Sequence, residues 1–178
     1  PGYANSMANL HNAKRANSAI VNIVGDHAVW HHQHDAPLTS DVEAHVKIHS
    51  HWFKTTTSAE DLSLAGAEAV AASLSGAGKI ATLVVPANHA WEASSKSFDR
   101  IPPVPLSTIS DERLEAAKRL LKNGKRTGLL LGGSALQEQC LAYAGSIAGA
   151  TGATILSETF PACLQRGEGR VPVNRVPY

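Results

Sequence analysis

With 178 residues, 43% hydrophobic and 17% charged, the chain is long enough for one large domain or two small ones with ordinary packed cores. A formal net charge of +1 leaves no field that would draw in nucleic acid or an acidic membrane, so neither is expected as a partner. No apolar run approaches about 18 residues, which excludes a helical membrane span, and two cysteines, Cys140 and Cys163, form neither a disulfide framework nor a zinc site and fit a reducing cytoplasm.

Asn5 to Ala16 reads as a small-residue helix entered through a tight turn at Gly2. Ala19 to Val24 is an apolar run ending at Gly25, the pattern of a strand buried on both faces. Residues 26 to 40 carry no periodicity and form a loop, after which Asp41 caps a short helix through His45 to about His49. Trp52 to Thr56 reads as a strand. Ser58-Ala59-Glu60-Asp61 opens a long helix to about Leu74, with Leu62, Ala65, Ala69 and Ala72 on one face and Gly76 and Gly78 stopping it. Ile80 to Val85, ended by Pro86, is the clearest strand. Strands separated by helices imply parallel crossovers.

From residue 87 the composition changes. Ser94 to Ser97 and Ile101 to Pro105 cannot form a regular element, and residues 91–106 are read as a Pro/Ser-rich linker. A second unit begins near residue 107: a helix capped at Ser110 runs to Leu121, a strand spans Thr127 to Leu131, and Gly132-Gly133 turns into another helix. Ser134 and Gln137 are spaced there as a capping box. That helix ends near Gly149, and Ala153 to Leu156 is the next strand. The fold class expected is α/β, as two partial Rossmann-like, doubly wound parallel-sheet units.

Three groups could carry chemistry. His27 sits where a strand's carboxyl end meets a loop, where open α/β sheets place ligands, although an ordinary loop histidine fits the same position. His31, His32 and His34 cluster, and His45 and His49 lie one helical turn apart, which raises a metal-binding reading. No Glu lies within a His-Glu-x-x-His, no cysteine is near and no third ligand is spaced for it, so a solvated polar face is preferred. Gly132-Gly133 joins strand to helix as phosphate-binding turns do, but it lacks the third glycine of a dinucleotide fingerprint.

Pro1-Gly2-Tyr3-Ala4-Asn5 matches the last five positions of a Gly-Pro-Gly-x-x-Asn turn. Asn9-Leu10-His11-Asn12-Ala13-Lys14-Arg15-Ala16 followed by Val21-Asn22-Ile23-Val24-Gly25-Asp26-His27 matches Asn-Leu-His-Asn-Ala-Arg-Arg-Ala…Val-Asn-Ile-Val-Gly-Glu/Asp-His, with Lys14 in place of Arg. Asp35 to Asp41 aligns with an Asp-Ala-Phe-Gln-Glu pocket loop. In these words, and in Ser157 to Ala162 and Arg175 to Tyr178, the chain resembles thiamine-diphosphate-dependent enzymes of the acetolactate synthase large-subunit and benzoylformate decarboxylase group. The resemblance runs in order through the whole chain.

The resemblance implies an internal piece of a larger enzyme: residues 1–90 as the second half of its pyrimidine-binding domain, 91–106 as linker and 107–178 as the start of its central domain. It implies a cytoplasmic 2-oxo acid decarboxylase or carboligase that takes thiamine diphosphate and Mg2+ in the intact parent and works as a homo-dimer or tetramer on a small 2-oxo acid. Some relatives bind FAD or an adenine nucleotide in the central domain, and many bind nothing there. By the same analogy Gly2 and Asn5 lie beside the aminopyrimidine ring, His27 is the catalytic-pocket histidine, and Pro37 and Leu38 give an apolar wall beside the thiazolium. His11 is expected at a subunit contact. The family glutamate would precede residue 1 and the Gly-Asp-Gly…Asn motif would follow Tyr178, so the piece alone is expected to be inactive. The departure from Phe-Gln at Pro37-Leu38 leaves acetohydroxyacid specificity open. A nucleotide-binding α/β module and a non-catalytic histidine-rich metal protein stand as alternatives.

Overall fold

The computed structural model describes residues 1–178 and divides them into two compact units, Pro1–Leu106 and Ser107–Tyr178. Each is an α/β unit built on a small parallel sheet. In the first, β1 (Ile20–Asp26), β2 (Trp52–Thr55) and β3 (Ile80–Pro86) lie in the order β1-β3-β2. β3 is central and buried at every residue, so its two faces carry two cores, as the two-residue period of a strand requires. Ala81, Leu83 and Val85 meet Ala65 and Ala69 of α3 (Ala59–Leu74), with Leu62, Ala72 and Trp52 at the margin. On the other face Ile80 meets Tyr3 and Leu10 of α1 (Gly2–Arg15) and Val46 of α2 (Val42–His49). The alanines of α3 bring the helix close to the sheet, and Lys54 of β2 ties it there by ion pairs to Asp61 (2.9 Å) and Glu68 (3.1 Å). One crossover is tight: a Cβ at Gly78, whose φ is +107°, would fall 2.1 Å from the Asn17 carbonyl oxygen.

Local side-chain chemistry sets three of the six α-helix starts. Asp41 Oδ1 accepts the Ala44 N–H at 2.9 Å, Ser58 Oγ that of Asp61 at 3.3 Å, and Ser110 Oγ that of Arg113 at 3.4 Å. The Ser/Pro stretch has no regular element, yet it is strapped along α3. Glu60 accepts the Ser95 N–H at 3.0 Å, Ser63 Oγ accepts the Phe98 N–H at 2.9 Å, and Ser75 Oγ accepts the Val104 N–H at 3.0 Å.

In the second unit β4 (Gly128–Leu131), β5 (Thr154–Ser157) and the two-residue β6 (Asn174–Arg175) are again parallel, in the order β4-β5-β6. α6 (Glu138–Thr151) packs Leu141 and Ala144 against Leu136, Ile155 and Val173. α5 (Asp111–Leu121) precedes β4 and buries no residue fully.

Several expectations change. β1 is not buried on both faces; its residues alternate, and Ile23 is 69% exposed because β1 is an edge strand. α1 starts at Gly2 itself rather than after a turn. Residues 87–91 form a short helix, α4 (Ala87–Trp91), with Asn88 and His89 buried. The capping box fails: Gly133, at φ +53°, leads into a 3-10 turn (Gly133–Leu136), and α6 begins only at Glu138, with no side-chain cap from Gln137. α6 also runs past Gly149 to Thr151, where Gly152 closes it in the left-handed conformation.

Candidate functional site

At the carboxyl ends of β1 and β3, where parallel sheets gather ligands, lies a cleft of about 920 Å³. β1 delivers Asp26 in register with Pro86 of β3. Asp26 is spent on its own loop: Oδ1 accepts the His27 N–H at 2.8 Å, and Oδ2 lies 3.4 Å from His32 Nε2. The chain then passes through a 3-10 turn (Val29–His34) and closes at Asp35, in the left-handed region at φ +45°. The His27 and His31 rings meet edge to face at 6.3 Å. Pro37, Leu38 and Thr39 follow in a turn closed by the Thr39 N–H on the Ala36 carbonyl. The start of α1 completes the lining with Gly2, Tyr3, Ala4 and Ser6.

What distinguishes this cleft is unpaired polarity. Five side-chain polar atoms in the chain are closed to solvent without a well-aligned hydrogen bond. His27 Nε2 and Thr39 Oγ1 belong to residues lining the cleft, and Tyr3 Oη, from a third, is turned into the core toward the Ser50 side chain. Each such atom costs about 1–3 kcal/mol while unpaired. Native chains keep few of them, and ordered water or a ligand is the usual partner.

Of the residues expected at a site, Gly2, His27, Pro37 and Leu38 line the cleft together. Asn5 does not. It stands exposed on the first turn of α1, outside the lining. A Cβ at Gly2 would meet nothing within 4 Å, so the space before it is free for a ligand. Leu38 is 61% exposed, a rim rather than a sealed wall.

The histidines divide. His31 and His45 also line the cleft, whereas His49 is buried beside His11, with their rings 6.1 Å apart. His51 Nδ1 accepts the Ile80 N–H at 3.1 Å. Burial first, then the Lys14 ammonium, lowers the pKa of both His49 and His51; His11 adds to the shift at His49 and Lys79 to that at His51. His45 and His49 therefore serve different surroundings. No three His, Cys, Asp or Glu side chains are grouped closely enough to hold a metal ion.

No family model matches the chain. It is 40% identical over all 178 residues to a Mycobacterium tuberculosis protein named "Putative acetolactate synthase large subunit IlvX", and spans 34% of that protein's length. Among solved structures, 97% of the chain superposes on a third of a thiamin diphosphate-dependent enzyme from Mycobacterium smegmatis, described there as putative, with a TM-score of 0.67 at 20% identity. Another 88% match, TM-score 0.72 at 19% identity, is to 31% of the Rhodococcus jostii RHA1 thiamine diphosphate-dependent 4-hydroxybenzoylformate decarboxylase. The chain is thus similar over its whole length to an acetolactate synthase large-subunit relative, and it shares the fold of two thiamine-diphosphate-dependent enzymes. It spans about a third of the length of the curated relative it matches.

The second unit carries the glycine turn that resembles a phosphate site, and the turn already holds a side chain. Glu158 Oε1 accepts the Gly133 N–H at 3.0 Å, and a Cβ at Gly132 would fall 2.9 Å from the same oxygen. The chain's own carboxylate takes the place an anion would need. What a Cβ at Gly132 would meet is the end of the Glu158 side chain.

Sequence reasoning missed Asn88 and His89. Both are buried just past β3, and His89 Nδ1 pairs with Thr56 Oγ1 at 2.9 Å. The proline ending β3 and the serines that follow hid them. A Pro-Ala-Asn-His-Ala-Trp stretch directly after the central strand was the available clue.

Proposed function

We propose that the chain is part of a thiamine-diphosphate-dependent 2-oxo acid decarboxylase or carboligase of acetolactate synthase large-subunit type, and that the cleft at the β1 and β3 ends is its share of the active site. The observation that carries this reading is the meeting of Gly2, His27, Pro37 and Leu38 in one cleft that also holds the unpaired His27 Nε2 and Thr39 Oγ1. In this reading residues 1–90 are the second half of the pyrimidine-binding domain, 91–106 connect, and 107–178 begin the central domain. The parent is a homo-oligomer, with Mg2+ held by sequence outside this chain.

The unpaired donors and acceptors fit a neutral heterocycle with polar substituents. Gly2 leaves room for it, whereas Asn5 stands outside the lining. Bound there, thiamine diphosphate supplies the carbon nucleophile and electron sink for 2-oxo acid chemistry. The chain's residues do the rest. His27 Nε2 holds or gives a proton at the reacting centre, with its backbone pinned by Asp26. Pro37 and Leu38 exclude water once the rim is covered, which favours loss of a carboxylate's charge. No lysine or arginine lines the cleft, so no fixed cation holds the substrate carboxylate back.

Two measurements test this. CO2 release from pyruvate and benzoylformate is expected to be absent from the 178-residue chain and present in a polypeptide extended by its gene's flanking codons, with an in-frame glutamate before residue 1 and a Gly-Asp-Gly…Asn motif after residue 178. Calorimetry of the chain with thiamine diphosphate and Mg2+ is expected to show weak binding only. Tight Mg2+-dependent binding by this chain alone contradicts the reading.

A further inference from the structure

We infer that Asn88 is the positioning residue of the histidine loop, capping it from the end of the central strand. Asn88 is 3% exposed and lies two residues beyond Pro86. Its Oδ1 accepts the Val29 N–H at 3.1 Å, and its Nδ2 donates to Glu92 Oε1 at 3.0 Å. Chemistry fixes the amide's orientation: a backbone N–H demands an acceptor, and a carboxylate demands a donor. Only a short primary amide meets both at this reach. Aspartate lacks the donor, and glutamine is a methylene too long.

Val29 opens the 3-10 turn, and its N–H is one of the donors that such a start leaves unpaired. The residue before it, Ala28, is 1% exposed and has no side-chain cap to offer. Asn88 supplies that cap from another element. The capped amide lies two residues after His27 and two before His31, so the hydrogen bond fixes the joint between the two rings that meet at 6.3 Å. Its root is the most buried strand of the unit. The loop's geometry is thereby referred to the core rather than to the exposed edge strand β1.

This assignment goes beyond the proposed function, and its test reads the loop itself rather than an activity. In the isotopically labelled 178-residue chain, hydrogen exchange of the Val29 amide and the His27 and His31 ring resonances are followed by NMR. Asn88→Ala is expected to raise Val29 exchange at least about tenfold, the equivalent of about 1.4 kcal/mol, and to shift both ring signals, with amides in the middle of β3 unchanged. The pair Asn88→Asp with Glu92→Gln reverses the polarity of the second hydrogen bond while keeping an acceptor for Val29. It is expected to restore Val29 protection and the ring signals. Should Asn88→Ala not fold, Glu92→Ala, which removes only the outer anchor, is expected to give the same local changes at smaller size. Unchanged Val29 exchange in the folded variants overturns the assignment. So does a loss of protection spread evenly over β1 and β3, or a paired variant that fails to restore the loop.

Discussion

The two units each have a three-stranded parallel sheet, ordered β1-β3-β2 in the first and β4-β5-β6 in the second with no helix between β5 and β6, and they treat their carboxyl edges differently. In the first, the edge opens into a cleft whose lining includes His27 and Thr39 with buried unpaired polar atoms. In the second, the corresponding strand-to-helix turn carries the glycines that usually announce a phosphate, and Glu158 has closed it from within. A glycine-rich turn shows only that something approaches closely. Unpaired atoms alone do not separate the units, since Ser157 Oγ at the end of β5 is also buried without a partner; the open cleft at the first edge does.

The comparison can be broken or sharpened by substitution. The largest effect is expected from Leu83→Ala, in the core beneath the open edge: about 2–5 kcal/mol in urea unfolding of the first unit. A value under 1 kcal/mol would mean that β3 is not the strand on which the cleft is built. Glu158→Ala is expected to cost the second unit about 1.5–3 kcal/mol, since it removes a charged acceptor from a backbone N–H. Equilibrium dialysis with ADP is expected to show no binding to the unsubstituted chain; binding there would erase the contrast between the units.

Next comes pH. His49 and His51 have lowered pKa values in the folded chain, so the folded state binds fewer protons than the unfolded one near the ordinary value of about 6.5. Their contribution is therefore fully present above about pH 6.5 and is lost as pH falls through the lowered folded values. Urea midpoints of the first unit are expected to fall from pH 7.5 to pH 5, and His49→Gln to flatten that dependence. The smallest effect is expected at Ile23→Ser, on the uncovered face of β1, within about 0.5 kcal/mol. A cost of several kcal/mol would mean that this face is covered in solution.

What the sequence disclosed was local. Asp41, Ser58 and Ser110 cap helices through amides three residues on, within the reach of pattern reading. The run from Ile20 to Val24 reads the same whether one face or both are covered, so the pattern does not reveal that Ile23 lies outside. Ser134 and Gln137 had the spacing of a cap, but Gly133 turned the chain first and α6 began later. The Glu158 contact spans 25 residues and the Asn88 contact 59, and no local pattern encodes either. His27 was legible by its place after a strand. That its Nε2 lacks a partner was not, because an absent partner is a property of packing.

The most direct test is an NMR titration of the labelled 178-residue chain with thiamine diphosphate and Mg2+ carried to high ligand concentration. The account predicts weak, saturable shifts confined to Gly2–Ser6, Gly25–Ala28 and Leu38–Ser40, with Leu131–Ser134 silent. Shifts centred on Gly132 and Gly133, or none in the cleft at saturation of the solubility range, would contradict it.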